Sequence, residues 1–429
     1  MILFGIYEKL VYPKSTLNGF NTKEVITQNL HRATLYNNLK PFHNLSDIPE
    51  FGHTDAVDDN VFRLVCYYNF PSDSYSLQVK DIDPFLCTHI NVAFASVHNN
   101  SINLNEVHLG YLQEVVKLKD TNKNLKILLS IGGSGNSDDF PEMVKNHTNR
   151  KTFIQSILYY VKTYGIDGID LDWEFPSEYP DGDKNQRMHF TQLLAEIRKN
   201  ISRQKNFPYL LTAAVAAPAA LVDAYYDVSY MNDYVDFVNV MNYDFHFFTT
   251  TTPFTGINSP LYPLSSEKMF MSTLNINYSS HYWNYKGMEK NKIVVGLPTY
   301  GHTYRLLNPR NHEIYSPASG YGKLGFNGFA SYYQICNFLQ VNHITPVFDM
   351  EVLSPYASKY YEWISFDDEQ SLTYKTEFIK NNQFGGAMIY CLNSDDFKGS
   401  CTMGFSGGLK FPLISTVKSV LGRTDPGAV

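Results

Sequence analysis

The sequence predicts an α/β protein: a parallel (β/α)8 barrel with an α+β subdomain inserted between its seventh and eighth strands. Three observations predict it. Eight short apolar runs recur along the chain, and eight parallel strands are the number that closes a barrel. Amphipathic stretches of helical period lie between several of them, the pattern of repeated strand–helix units. The interval from 299 to 384, between the last two runs, is far longer than an ordinary connection.

The eight runs fall at 63–69, 88–95, 125–131, 166–174, 209–216, 235–243, 292–298 and 385–391. Of the stretches between them, 149–164 carries Phe153, Ile157, Leu158 and Val161 on one stripe, and 186–199 carries Phe190, Leu193, Leu194 and Ile197. The long interval is rich in Tyr and Gly, with strand-like runs at 332–333, 345–348 and 362–366. It is expected to form the inserted subdomain over about 303–375. Residues 1–60 are polar and irregular and read as a loosely ordered extension, 61–421 as the barrel with its insertion, and 422–429 as a tail.

Composition narrows the function. With 44% hydrophobic residues over 429 positions the chain can bury a large core. A net charge of −7 and the lack of any basic cluster argue against a nucleic-acid partner. No apolar run is long enough to cross a bilayer, so no membrane insertion is expected. The apolar N-terminal stretch lacks a basic lead and is cut short by Glu8 and Lys9, which makes it a poor signal peptide. Thirty-two Tyr and 29 Phe, against three Trp, permit sugar-stacking surfaces without selecting for them. The five cysteines show no zinc spacing, and on spacing alone buried free thiols are slightly favoured over bridges. Five Asn-x-Ser/Thr sites, at Asn44, Asn99, Asn146, Asn200 and Asn277, fit secretion.

The stretch Asp167-Gly168-Ile169-Asp170-Leu171-Asp172-Trp173-Glu174 carries the chemistry. Side chains alternate along a strand, so Asp170, Asp172 and Glu174 share one face. Successive carboxylates then stand roughly 6.5–7 Å apart along a common wall. In a partly dry site they cannot all ionise, and at least one keeps a proton near neutral pH. That proton is what a general acid needs. The competing reading is a surface strand whose acids face water. Against it, Ile169, Leu171 and Trp173 require a core on the opposite face, and Gly168 suggests close backbone approach. Barrel active sites lie at the C-terminal ends of the strands, which puts Glu174 at the mouth and Asp170 deepest.

The pattern Asp-x-x-Asp-x-Asp-x-Glu, closed by Trp173-Glu174-Phe175-Pro176, resembles the signature of the family 18 glycoside hydrolases, the chitinases and their lectin relatives. The resemblance runs from about 62 to 421. It takes in Ser130-Ile131-Gly132-Gly133 at the third strand and Met241-Asn242-Tyr243-Asp244-Phe245-His246 at the sixth. It implies a TIM barrel and hydrolysis of β-1,4-linked N-acetylglucosamine polymers without metal or cofactor. The substrate's own N-acetyl group then serves as nucleophile. In that scheme Glu174 is the acid and base, Asp172 accepts from the acetamido N–H, Asp170 shares a proton with Asp172, and Tyr243 aligns the acetamido carbonyl. Met241 and Asp244 line the same subsite, Tyr67 and Phe94 floor the cleft, and Tyr300 and Tyr390 contact sugar.

The resemblance further implies bridges Cys66–Cys87 and Cys336–Cys401 with Cys391 unpaired, secretion, a monomer, and chitin or chitooligosaccharide as partner. A chitinase-like lectin is the alternative; such relatives usually lose the acid at the position of Glu174, which is intact here. An endoglycosidase acting on N-glycan cores is a third reading, which the inserted subdomain argues against. Departures from the family pattern are Ser134, Thr249 and Tyr390 where relatives carry Trp, with Phe247 and Phe248 beside Thr249, and His302 where they carry Arg. Because indole offers the largest stacking area, a weaker hold on long polymer than on soluble oligomers is expected.

Overall fold

The computed structural model describes residues 62–176, 185–204, 206–404 and 407–422. The expected extension over 1–60, with Asn44, lies outside them, as do residues 423–429 of the expected tail.

The chain opens with β1 (Arg63–Asn69) and β2 (His89–His98), and the short β3 (Ser101–Asn103) folds back antiparallel on β2. There follow β4 (Lys126–Gly132), β5 (Gly168–Asp172), β6 (Leu210–Ala216), β7 (Phe237–Met241) and β8 (Ile293–Pro298). Next come β9 (Tyr300–Leu306), β10 (Ala318–Tyr321), β11 (Phe329–Ser331), β12 (Val347–Asp349), β13 (Ser354–Lys359) and β14 (Glu362–Ser365). The last strand is β15 (Gly386–Tyr390). Strands β2, β4, β5, β6, β7, β8 and β15 pair in that order, β15 pairs with β1, and β1 pairs with β2. All eight contacts are parallel, so the sheet closes into a (β/α)8 TIM barrel.

Each barrel strand lies within about three residues of an expected run at either end. They are legible because β5, β7 and β8 are buried along their whole length, and strands covered on both faces read as continuous apolar runs. The fourth and sixth barrel strands stop short of their expected ends, so Glu174 and Tyr243 sit just beyond them, in the backbone of the mouth. Helix His147–Tyr164 starts where the Asn146 side chain accepts from the Asn149 N–H and stops at left-handed Gly165. It buries Phe153, Ile157 and Val161, whereas Leu158 is only partly covered. Helix Gln186–Arg203 buries all four residues of its predicted stripe.

The second sheet is antiparallel, in the order β10-β9-β14-β13-β12 with β11 also on β9. Its own apolar cluster joins Tyr304, Leu306, Ala318, Val352, Tyr356 and Trp363 to Ile257, with Phe248 packed against it. This is the inserted subdomain, between the seventh and eighth barrel strands. Helix Tyr332–Val341 follows β11, and its Cys336 is bridged to Cys401, beyond β15. A second bridge joins Cys66 in β1 to Cys87, and Cys391 is a buried free thiol. The pairing is the one the family resemblance implies. Trp173, Trp283 and Trp363, the protein's three tryptophans, are all buried in cores, so none offers a platform to a ligand. Among the described residues no helix is long and apolar enough to cross a membrane.

Candidate active site

Strand β5 carries the carboxylates, and its neighbours set how deep each lies. A Cβ on Gly168 would fall 2.5 Å from the Leu210 carbonyl oxygen, which explains the glycine that opens the strand. Asp170 is wholly buried in the barrel interior. Its Oδ2 accepts from the Tyr67 hydroxyl at 2.6 Å and from Ser130 Oγ at 2.8 Å. Its Oδ1 accepts from Thr212 Oγ1 at 2.6 Å and Asn239 Nδ2 at 3.1 Å. Burial holds this carboxyl above its usual value, and the four donors offset only part of that rise. Four donors fill the positions a carboxylate offers, so Asp170 is held as a fixed acceptor.

Asp172 comes next and is also buried. Its backbone carbonyl accepts from the Gly133 N–H at 2.7 Å, and a Cβ on Gly132 would lie 2.1 Å from that oxygen. The glycine pair therefore lets the third barrel strand's exit pack directly on β5. Ser137 completes the join: its Oγ accepts from the Glu174 backbone N–H at 3.2 Å. The side chains of Asp172 and Glu174 are hydrogen-bonded to each other. Two carboxyl groups can bond in this way only by sharing a proton. Burial, then the charges of Glu174 and Asp170, raise Asp172 well above the usual carboxylate range. Burial and the charge of Asp244 push Glu174 up to about 8. Asp172 Oδ1 and Glu174 Oε2 are buried and have no hydrogen-bond partner among the described residues. Two acceptor atoms without donors, beside a shared proton, mark where a ligand's polar groups would be received.

An aromatic cage closes around this pair. The Tyr390 ring lies 5.6 Å from Tyr67, 5.9 Å from Tyr243 and 6.2 Å from Tyr300, centroid to centroid. Phe94 stands 6.3 Å from Tyr67 and packs under Gly133, where a Cβ would meet its ring at 3.0 Å. Among the described residues the Tyr243 hydroxyl reaches only the sulfur of Met388, at 3.8 Å, a weak acceptor that leaves the donor largely unspent. Asp244, at φ 58°, accepts from the Tyr300 hydroxyl at 2.5 Å and meets His302 Nε2 at 2.7 Å. Although burial acts to raise Asp244, His302 and Tyr300 outweigh it and hold this carboxyl below its usual value. Met241 ends β7, buried and level with Ala216.

Thus Asp170, Asp172, Glu174, Tyr67, Phe94, Tyr243, Asp244, Tyr300 and Tyr390 converge, although Tyr67 presents its hydroxyl to Asp170 and Tyr300 presents its own to Asp244. At two positions where the family resemblance led to an expectation of Trp, Ser134 is exposed, and Thr249 closes a turn through Thr251 and Thr252. Phe248 turns away into the subdomain, its ring 5.5 Å from Tyr321, and Phe247 lies 5.7 Å from the His302 ring. Sequence reasoning missed Thr212, Asn239 and Ser137. The first two had a signal, each being the lone polar residue of an apolar barrel strand. Ser137 lies in a loop and had none. Among the described residues no three His, Cys, Asp or Glu side chains converge as metal ligands.

Comparison with known proteins bears on this geometry. A sequence model described as "Glycosyl hydrolases family 18" matches residues 63–395. The chain is 37% identical over 378 residues to human "Chitinase-3-like protein 2", covering 85% of this chain and 93% of that one. An immunomodulatory active chitinase from Trichuris suis superposes with a TM-score of 0.78 at 32% identity, over 84% of this chain and all of that one. Human YKL-39, described as a pseudo-chitinase with retained chitooligosaccharide binding, also superposes at 0.78, with 34% identity over 84% of this chain and all of its own.

Proposed function

Because the chain belongs to glycosyl hydrolase family 18, we propose that it hydrolyses β-1,4-linked N-acetylglucosamine oligomers by a substrate-assisted, retaining mechanism. The observation that carries this reading is the pairing of the buried Asp172 and Glu174 carboxyls at the barrel mouth, beside two acceptor atoms with no partner among the described residues. Glu174 gives its proton to the glycosidic oxygen as the bond to the anomeric carbon breaks. The acetamido carbonyl oxygen of the same sugar attacks that carbon, forming a cyclic oxazolinium. Asp172 Oδ1 accepts from the acetamido N–H and offsets the positive charge. Asp170, fixed by its four donors, is the negative charge beneath that favours a proton on Asp172 before substrate arrives. The under-used Tyr243 hydroxyl donates to the acetamido carbonyl, and orientation of that group governs an intramolecular attack. Water then adds at the anomeric carbon, giving its proton to Glu174, and retention results.

The second reading, a lectin that binds such oligomers without cleaving them, is favoured by the likeness to a pseudo-chitinase. The complete carboxylate row favours the enzyme. Secretion is part of the proposal, supported by two disulfides. A direct test uses chitotetraose and cellotetraose side by side. Cleavage of the first alone is expected, since the second lacks the internal nucleophile. Measurable turnover of cellotetraose would overturn the mechanism, and turnover of neither would leave the lectin.

A further inference from the structure

A single exposed phenylalanine is ordinary on a protein surface; Phe326 is set apart by its position. The ladder between β11 and β9 pairs Phe329 with His302, and an isolated bridge pairs Phe326 with Phe329. Directly opposed residues of an antiparallel pair project from one face. Phe326, Phe329 and His302 therefore leave the same face of the subdomain, the face on which His302 reaches Asp244. The Phe329 ring lies on the Tyr300 ring, with centroids 4.6 Å and planes 21° apart. Phe326 is the next ring outward and is 78% exposed.

The turn that presents it is tightly specified. Gly325, Asn327 and Gly328 all take positive φ, at 76°, 49° and 82°. A Cβ on Gly325 would lie 1.9 Å from the Phe329 carbonyl oxygen, and one on Gly328 would lie 2.6 Å from the Tyr321 ring. Paired backbone hydrogen bonds of 2.9 and 3.0 Å between Phe326 and Phe329 close the turn. A backbone so constrained, holding a large apolar ring in water one step from the site, is a device for presenting that ring.

We propose that Phe326, backed by Phe329 on Tyr300, is a stacking platform for a sugar of the bound oligosaccharide outside the unit held by Asp172 and Tyr243. The occupant is a pyranose ring whose axial C–H face lies on the phenyl ring; with no polar atom, Phe326 reads the sugar's flat face and not its hydroxyls. The platform replaces part of the stacking area lost at Ser134, Thr249 and Tyr390. It rests on the functional reading above.

The test is titration calorimetry with chitohexaose on the full chain carrying Glu174→Gln, which stops turnover. Adding Phe326→Ala should weaken binding roughly 2- to 10-fold, the span of one aromatic contact, and Phe326→Trp should restore it. Tyr285→Ala, at an aromatic 68% exposed on helix Ile276–Tyr285, should change nothing. Unchanged affinity in Phe326→Ala, or an equal loss in Tyr285→Ala, overturns the platform while the functional reading stands. If neither the parent nor Glu174→Gln binds any chitooligosaccharide, the functional reading fails and the platform with it.

Discussion

Glu174→Gln is expected to abolish hydrolysis while sparing the fold and oligosaccharide binding. The amide keeps the shape of the side chain and can still donate to Asp172, but it has no proton to give the leaving oxygen. Loss of a general acid costs typically about 10²–10⁴-fold, and here the same group also serves as base. Activity within a few-fold of the parent would remove Glu174 from the chemistry. A pH profile probes the same group without mutation. Glu174 must be protonated to act as acid, and burial pushes it up to about 8. The acid form is complete at lower pH and is lost as pH rises through that value, so kcat/KM should fall on the alkaline side. The observed limb belongs to the Asp172–Glu174 pair, because the two titrate together.

Asp170→Leu should produce the largest change in stability. It leaves Tyr67, Ser130, Thr212 and Asn239 pointing donors at a hydrocarbon in the barrel interior. Each orphaned buried donor costs about 1–3 kcal/mol, so a loss of more than about 3 kcal/mol is expected, a large share of the roughly 5–15 kcal/mol that holds a typical domain together. Asp170→Asn separates packing from charge. The three hydroxyls can turn to suit an amide, so it should fold better than the leucine variant. It lacks the negative charge that raises Asp172, and its activity should fall sharply. Denaturant titration of both variants, with rates for the second, checks this. A leucine variant as stable as the parent would mean that Asp170 is not the hub of the barrel's polar interior.

The barrel was legible because its strands are buried on both faces and its connecting helices on one; both conditions leave periodicities in the sequence. The carboxylate row was legible for a narrower reason. Alternation along β5 is local, so three acids two residues apart had to share a face. Their partners are not local. Thr212 faces Asp170 from the adjacent strand and Asn239 reaches it from the strand beyond, so the pairing of strands distant in sequence makes them neighbours. The resemblance implied that Asp170 shares a proton with Asp172; the Asp172 side chain pairs with Glu174, and four donors surround Asp170, neither of which the local sequence shows. Tyr67 illustrates the same limit: similarity put it at the cleft floor, but its hydroxyl faces inward. Phe326 gave no signal at all, because its meaning depends on a turn of three left-handed residues and on which ring lies across the strand pair.

The central claim is that the substrate's N-acetyl group displaces the leaving sugar while Glu174 supplies the proton. Proton NMR of chitotetraose digestion by the unmodified protein, recorded within the first minutes, tests it most directly. Signal at the new reducing end should appear first as the β-anomer and only later equilibrate with the α-anomer, because two displacements at one carbon restore its configuration. An α-anomer appearing first would require a single displacement by water, and no new reducing end at all would mean that the site binds these sugars without cutting them.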